Sequence, residues 1–176
     1  MRNYRRFLLN VWEVLQVVLV ATATVLVIRT FLVQPFLVSG ASMEPSFSDG
    51  NYLLIDEITY RFREPERGET VVFHYPGDRG LFFIKRIIGL PGERIIIKNN
   101  EIFINNIILN EEYLSDSDIK TAGSVDVTLN KDQYFVLGDN RYNSFDSRNW
   151  GPLNRDDITG LVRLRLLPLN DIELFQ

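Results

Sequence analysis

The chain of 176 residues contains no cysteine and only one histidine, His74. Without thiols it can form neither a disulfide framework nor a thiolate metal site, and one imidazole does not suffice for a metal centre built from histidines. We therefore expect no metal and no cofactor. Lysine is also rare, because the chain holds four lysines, at positions 85, 98, 120 and 131, against fifteen arginines.

The chain also lacks the positive charge that binding to nucleic acids requires. Its formal net charge is −4, and no run rich in lysine or arginine follows residue 6, so we expect no general nucleic-acid-binding surface. Hydrophobic residues make up 45% of the chain, which is typical of a globular rather than a disordered protein. The length allows one compact domain and an additional anchor.

Residues 7–28 form one long, predominantly apolar stretch. About 20 residues suffice for a helix to cross the hydrocarbon core of a bilayer, so the sequence predicts a transmembrane anchor over 7–28. Three arginines lie within residues 1–6, whereas only Arg29 follows the stretch closely. Because positive charge favours the cytoplasmic side, we expect residues 1–6 in the cytoplasm and residues 29–176 as an extracytoplasmic domain of a single-pass cell-membrane protein.

Three other interpretations of the apolar stretch are open. A cleaved secretory signal would share the basic start, but residues 28–36 are bulky and do not offer the small residues of a cleavage site. A buried helix of a soluble protein is compatible with Glu13 and Gln16, which interrupt the first half. An interfacial amphipathic helix would need a polar face, whereas the second half of the stretch is apolar all round.

After Pro35 the sequence changes to short runs of β-forming residues separated by turn residues, which predict strands. The pair Asn99–Asn100 predicts a tight hairpin, because asparagine tolerates positive φ. A polar stretch over 111–124 predicts a mobile loop, and no second helix is predicted. The expected fold is mostly β, with an N-terminal transmembrane helix followed by an antiparallel β domain. The predicted strands are 52–55, 70–75, 81–89, 94–98, 102–104, 125–129, 133–138 and 161–167.

With one histidine and no cysteine, a hydrolase built on this chain would need a lysine to activate a serine. Ser42 lies in the run Ser39–Ser46 just beyond the predicted anchor, and Lys85 lies in a predicted strand among phenylalanine and isoleucine residues. Strand alternation places Phe83 and Lys85 on one face. An inward Lys85 would be desolvated and would adjoin the positive charge of Arg86, and both effects would lower its pKa from about 10.4.

Each of these residues also has a structural interpretation. Lys85 could lie on the solvent-facing side of its strand, with its aliphatic stem over apolar neighbours. Ser42 could belong to an ordinary turn, and His74, which has no obvious partner, could be a strand residue with its hydrogen bonds satisfied. The residues alone therefore leave both the catalytic and the structural interpretation open.

The run over residues 138–148 is dense in Asp, Asn, Ser and Gly. This composition suits a loop held by side-chain to backbone hydrogen bonds, which could be structural or could support an active site. Within it, Asp146 and Arg148 could form an ion pair. Metal binding by Asp139 and Asp146 is a third interpretation.

Taken together, four motifs in order resemble those of type I signal peptidases, the membrane-bound Ser/Lys endopeptidases of bacterial export. Ser42–Ser46 resembles the nucleophile box, and residues 67–73 are similar to a second motif, with Glu69 where the family usually has aspartate. Residues 85–93 are similar to the lysine box, and residues 138–148 match the last box. The chain resembles the compact form of the family, which lacks the large inserted β domain.

This resemblance implies a serine endopeptidase that removes N-terminal signal peptides from exported preproteins, cleaving after small residues. Its partners would be these preproteins and the lipid bilayer. Ser42 would be the nucleophile and Lys85 the general base, acting through an acyl-enzyme. Ser144 would orient the lysine by a hydrogen bond, while Asp146 and Arg148 would support the site.

The resemblance also identifies a departure beside the nucleophile. The family's oxyanion hole uses the backbone N–H of the nucleophile, and some members add a serine hydroxyl two residues earlier. That position is Gly40 here, so a backbone N–H near Gly40 or a shift on substrate binding would have to compensate. For the substrate pockets, the resemblance implies a lining of Val38, Met43, Phe83 and Ile84.

Three rival functions stay open. A Ser/Lys self-cleaving repressor would need a DNA-binding helical module, whereas this sequence shows an apolar stretch. A catalytically silent, membrane-anchored β module could bind exported chains without cleaving them. The chain could also be one half of a multisubunit assembly.

Overall fold

A computed structural model describes residues 11–24, 33–114 and 120–175 of the chain. Residues 11–24 are helical and are called α1. Within these ranges, no helix has both the length and the hydrophobicity of a membrane span. Residues 1–10 and 25–28, which hold the predicted cytoplasmic start and both ends of the predicted anchor, lie outside the described residues.

The described residues form two sheets, and the larger one contains eight strands, all paired antiparallel. In chain-order numbering they are β1 (Val33–Leu37), β2 (Tyr52–Asp56), β3 (Thr70–Tyr75), β4 (Asp78–Gly89), β9 (Gln133–Leu137), β10 (Leu153–Asn154), β11 (Ile158–Leu167) and β12 (Glu173–Leu174). Their order across the sheet is β1-β2-β11-β3-β4-β9-β10, and β12 pairs with β11. The prediction of a mostly antiparallel β fold is confirmed.

The smaller sheet contains four strands, and it is also antiparallel. The strands are β5 (Arg94–Lys98), β6 (Glu101–Ile104), β7 (Ile107–Ile108) and β8 (Val125–Thr128), in the order β7-β6-β5-β8. Asn99 and Asn100 join β5 to β6 with φ of 52° and 67°, which confirms the predicted hairpin. Asn105 and Asn106 repeat this conformation before β7, with φ of 49° and 70°.

Several short elements were not predicted, because two to five residues carry little periodicity. The strands β1, β7, β10 and β12 belong to this group, and β4 and β11 each begin three residues before their predicted starts. The helix α2 (Ser147–Trp150) was also missed, because its four residues show no helical repeat. The Asp146 side chain caps its N-terminus. In the part of the chain that the structure describes there are also three 3₁₀ turns, at Thr59–Arg61, Arg155–Asp157 and Leu169–Asp171.

Both faces of the large sheet are buried near its centre. Val71 and Phe73 on β3 pack into one hydrophobic cluster, whereas the intervening Val72 packs into another, which contains Met43 and Phe47 from the β1–β2 connection. A third cluster lies between the two sheets and includes residues of β4, β5, β6 and β9. The β1–β2 connection is therefore fixed against the sheet by buried side chains, and it carries Ser42.

The predicted mobile loop over 111–124 falls partly on residues 115–119, which lie outside the described residues. Its described ends are held by Arg141, which is 2% exposed. The guanidinium of Arg141 pairs with Glu111 and donates to Thr121 Oγ1 at 2.6 Å. These contacts connect the 111–121 region with the loop that follows β9.

Candidate active site

The structure brings Ser42 and Lys85 together. Lys85 Nζ lies 2.7 Å from Ser42 Oγ, although the two residues lie in separate segments, the β1–β2 connection and strand β4. Lys85 is 4% exposed, so the interpretation of a solvent-facing lysine is wrong. The predicted pairing of the two side chains is present in the fold.

Burial lowers the pKa of Lys85 from 10.5 to about 8, although the negative charges of Asp146 and Asp139 act in the opposite direction. The amine also donates to the Ile84 carbonyl at 2.7 Å and lies 5.5 Å from the centroid of the Phe83 ring. Burial in this apolar setting therefore accounts for the lowered pKa.

Arg86 does not lower the pKa of Lys85 as predicted, because its charge is paired elsewhere. Its guanidinium binds both carboxylate oxygens of Asp139, at 2.8 and 2.6 Å, and also donates to the Gly68 carbonyl at 2.7 Å. Asp139 is fully buried. The expectation that the charge of Arg86 lowers the pKa of Lys85 is therefore wrong, and the same ion pair engages Asp139, which the sequence had left open as a metal ligand.

Ser144 lies at the site, but the hydrogen bond predicted from it to Lys85 is not present. The Ser144 hydroxyl is buried without a hydrogen-bond partner among the described residues. The Lys85 amine donates instead to Ser42 and Ile84. Both of its hydrogen bonds in the described structure are therefore made without Ser144.

Asp146 and Arg148 form the predicted ion pair. Arg148 donates to the two carboxylate oxygens through Nε and a terminal nitrogen, each at 2.8 Å, and Asp146 is fully buried. Burial alone would raise the pKa of Asp146, but the hydrogen bonds and charge of Arg148 and the Gly138 N–H outweigh it and hold the pKa below its usual value. This pairing leaves Asp146 unsuited to the metal-binding interpretation.

Gly138 occupies a position where a side chain would not fit. A Cβ atom there would lie 2.2 Å from Ser144 Oγ and 2.4 Å from the Ser42 carbonyl oxygen. Its N–H donates to Asp146 Oδ2 at 3.1 Å. The glycine thus allows the loop after β9 to approach the nucleophile segment closely, a role that sequence reasoning did not assign.

Gly40 lies two residues before Ser42 with φ of 94°, a conformation that favours glycine. Its N–H donates to Asp49 Oδ1 at 2.7 Å. In the described arrangement the N–H of Gly40 itself is therefore engaged by Asp49. The expectation that a backbone N–H near Gly40, or a shift on substrate binding, compensates for the missing side-chain donor stays a prediction.

A cleft of about 260 Å³ opens beside Ser42 and Lys85. Val38, Phe83 and Ile84 lie in its lining as predicted. Met43 does not, because it is fully buried and its side chain packs into the cluster behind the nucleophile segment. The remaining lining residues, which were not predicted, are Phe36, Leu37, Ser39, Leu53, Val72, Phe82 and Phe145.

His74 packs against Phe82, which lines the cleft, and makes only structural contacts among the described residues. Its Nδ1 is 2.8 Å from the Arg79 carbonyl oxygen, and its ring packs on Phe82 with centroids 4.3 Å apart. These contacts agree with the interpretation of a strand histidine.

The sequence and the fold both match known proteins. A profile of the family described as "Signal peptidase, peptidase S26" matches residues 11–167. The chain is 37% identical over 172 residues to signal peptidase I P of Bacillus subtilis subsp. natto, covering 93% of this chain and 92% of that protein. It is 38% identical over 172 residues to probable signal peptidase I-2 of Synechocystis sp., covering 94% of this chain and 78% of that protein.

A solved structure shows the same likeness. The crystal structure of a signal peptidase I from Enterococcus faecalis V583 aligns with a TM-score of 0.50 and 30% identity. The alignment covers 57% of this chain and 97% of the solved chain.

Proposed function

The chain belongs to the signal peptidase family, peptidase S26, and we propose that Ser42 and Lys85 are its catalytic dyad. Membership makes the chain a serine peptidase. The observation that carries the assignment is the 2.7 Å contact between Lys85 Nζ and Ser42 Oγ beside an apolar cleft. Because the pKa of Lys85 is lowered to about 8, a useful fraction of the amine is neutral near physiological pH.

We infer the following reaction from this arrangement. Neutral Lys85 accepts the proton of Ser42 Oγ as the oxygen attacks the scissile carbonyl, and Lys85 then protonates the leaving amine. A water molecule activated by the same amine hydrolyses the acyl-enzyme. We also propose that the Ser144 hydroxyl, which is buried without a partner among the described residues, accepts a hydrogen bond from Lys85 once the amine carries the additional proton.

The proposed substrates are exported preproteins, cleaved after the signal peptide. The cleft is small and predominantly apolar, which fits small residues beside the scissile bond. Strand β4 pairs with β9 only from Arg86 to Gly89, so residues 82–84 have no strand partner on that side within the described residues. A substrate segment could add to this edge as a strand, gaining backbone hydrogen bonds while the cleft selects its side chains.

Residues 7–28 are proposed as a membrane anchor, with residues 1–6 in the cytoplasm and residues 29–176 outside it. The asymmetric distribution of arginine supports this orientation. Ser42 follows residue 28 by fourteen positions, so even an extended connection keeps it within about 50 Å of the membrane. A signal peptide held in the same bilayer would therefore meet the site at a raised effective concentration.

Precursor cleavage by the detergent-solubilised chain tests this proposal. We expect Ser42→Ala and Lys85→Ala each to abolish cleavage, because one removes the nucleophile and the other its base. Ser48→Ala is the matched control, since Ser48 lies exposed in the same segment and should process normally. Undiminished cleavage by either active-site variant would contradict the dyad, and a wild-type chain that binds precursors without cleaving them would favour the silent binding module.

A further inference from the structure

Asn140 contacts the nucleophile segment at two successive carbonyl groups. Its backbone N–H donates to the Ser42 carbonyl at 3.1 Å, and its side-chain Nδ2 donates to the Ala41 carbonyl at 3.1 Å. The other end of the side chain, Oδ1, accepts from the Asn143 N–H at 3.2 Å. The amide of Asn140 is therefore oriented at both ends, with its donor towards the nucleophile.

The Ala41 carbonyl belongs to the peptide unit that also contains the Ser42 N–H. In a trans peptide the C=O and N–H bonds point in opposite directions, and within the described residues the only cis bonds precede Pro45 and Pro168. The Ala41 oxygen accepts from Asn140 Nδ2 and also, at 3.3 Å, from the Glu44 N–H. Holding this oxygen in place therefore holds the Ser42 N–H pointing in the opposite direction within the peptide plane.

The Ser42 N–H is the group whose direction matters for catalysis. Among the described residues it donates no hydrogen bond, so it can serve an incoming oxygen. Two alternative donors are missing or engaged, because Gly40 has no side chain and its N–H already binds Asp49. Stabilisation of the oxyanion thus depends more on the orientation of this one peptide unit than it would in a site with a second, side-chain donor.

We propose that Asn140 is a positioning residue that holds the Ala41–Ser42 peptide so that the Ser42 N–H stabilises the oxyanion of the tetrahedral intermediate. This inference rests on the proposed role of Ser42 as nucleophile. Among the described residues Lys85 donates to Ser42 and Ile84 and not to Asn140, so Asn140 acts through the peptide unit that it orients. Preorganised donors of this kind act on charge that develops in the transition state, so their loss lowers kcat more than it changes substrate binding.

Steady-state cleavage of a soluble precursor peptide by the full-length Asn140→Ala chain provides the test. We expect kcat to fall about 10- to 100-fold, less than or near the 10²–10³ that loss of a whole oxyanion donor costs, because the N–H remains but is no longer fixed. KM should change by less than about threefold. The midpoint of the acidic limb of the pH profile should not move, because Lys85 keeps its surroundings.

Asn140→Asp is a second variant of nearly the same shape. It retains the acceptor for the Asn143 N–H but cannot donate to the Ala41 carbonyl, so kcat should again fall at least 10-fold. Asn154→Ala is the control, since Asn154 is exposed on β10 and should retain wild-type kcat. Thermal unfolding is measured for each chain, and if neither position-140 variant folds, the residue is structural and the inference is overturned.

The remaining outcomes separate this inference from the proposal on which it rests. A kcat within about threefold of wild type, or a loss expressed mainly in KM, would overturn the role of Asn140 while Ser42→Ala still abolished cleavage. A shift of the acidic limb in Asn140→Ala would show that the residue acts on Lys85 instead. Undiminished cleavage by Ser42→Ala would contradict the nucleophile assignment itself.

Discussion

The base of the proposed dyad is a lysine whose proton affinity is set by where the fold places it. Lys85 is 4% exposed, and burial lowers its pKa to about 8 against the partial opposition of Asp146 and Asp139. The change from 10.5 to about 8 corresponds to about 3 kcal/mol of unfavourable free energy for burying the charged amine. Activity therefore benefits from the burial of this amine, which lowers its pKa, whereas the stability of the fold is reduced by it.

The sign of the pH dependence follows from proton linkage. Between pH 8 and 10.5 the unfolded chain holds the proton on Lys85 more firmly than the folded chain, so the contribution of Lys85 to stability rises with pH in this window. Below pH 8 the full penalty applies, and above 10.5 it vanishes. Catalysis needs the neutral amine, so activity is lost as pH falls below about 8.

Replacing Lys85 by methionine separates the effect on activity from the effect on stability. We expect Lys85→Met to be inactive at every pH, yet more stable than wild type at pH 7 by about 1–3 kcal/mol, because an apolar chain of similar length removes the buried charge. The gain should shrink towards zero as pH approaches 10.5. Urea unfolding at several pH values measures this difference.

Lys98→Met is the matched control, since Lys98 is exposed on β5. It should leave the pH dependence of stability and activity unchanged. A Lys85→Met chain that is less stable than wild type at pH 7, by an amount that does not vary with pH, would show that the buried amine carries no charge penalty.

At the residue scale the sequence indicated which residues would carry the chemistry, but it was less informative about where their side chains point. The scarcity of histidine and cysteine, together with four ordered motifs, located Ser42 and Lys85. The sequence did not show that Met43 points into the core, because an irregular segment has no alternation of buried and exposed positions.

The partner of Asp139 was hidden for a related reason, since Arg86 lies 53 positions away in the chain. The hydrogen bond from Gly40 to Asp49, nine positions on, was hidden because both residues belong to the same irregular segment.

Among the secondary-structure elements, the loop between β9 and α2 determines the shape of the site. Gly138 begins this loop, and a Cβ there would lie 2.2 Å from Ser144 Oγ and 2.4 Å from the Ser42 carbonyl oxygen. We expect Gly138→Ala to lose stability by about 1–3 kcal/mol through overpacking and to lose most of its activity, because the loop and the nucleophile segment must separate. Thermal unfolding and peptide cleavage measure the two effects.

Gly80→Ala is the control for this change. A Cβ at Gly80 would meet only the Asp78 carboxylate, at 3.2 Å, and that side chain can move. Wild-type activity in Gly138→Ala would show that the close approach of the two segments is not needed for catalysis.

The long strands could be predicted because alternating or continuous apolar runs mark them, as in β3 and β4. Strands of two residues, such as β7 and β10, depend on neighbours that the local sequence does not reveal. The helix α2 depends on the Asp146 cap and on the ion pair with Arg148. Both contacts join residues no more than three positions apart, so α2 is held by local side-chain capping and pairing, and its four residues are too few to show a helical repeat in the sequence.

For the whole molecule, the proposed anchor should matter for substrates that share the membrane. The double variant Val17→Asp with Val20→Asp adds two charged side chains. Each of them would cost about 3 kcal/mol at the centre of a membrane span. We expect this double variant to leave the membrane fraction and to cleave vesicle-held precursors at least 10-fold more slowly, because the effective concentration is lost. Cleavage of a short soluble peptide should change by less than about twofold, since the site is intact.

A control for the added charge uses β7, where Ile107 and Ile108 are exposed. The double variant Ile107→Asp with Ile108→Asp should stay in the membrane fraction and process both substrates normally. Equal losses on both substrates in the anchor variant, or none on either, would contradict the proposed role of residues 7–28.

Titration of the lysine side chains by NMR gives the most direct test that a buried, readily neutralised Lys85 serves Ser42. The chain has four lysines, so isotope-labelled lysine gives few signals, and the one that disappears in Lys85→Ala identifies residue 85. We expect this signal to titrate with a pKa of about 8, together with the acidic limb of the cleavage rate. If it titrates near 10.5, the ordinary value for lysine, Lys85 is not the base that activates Ser42.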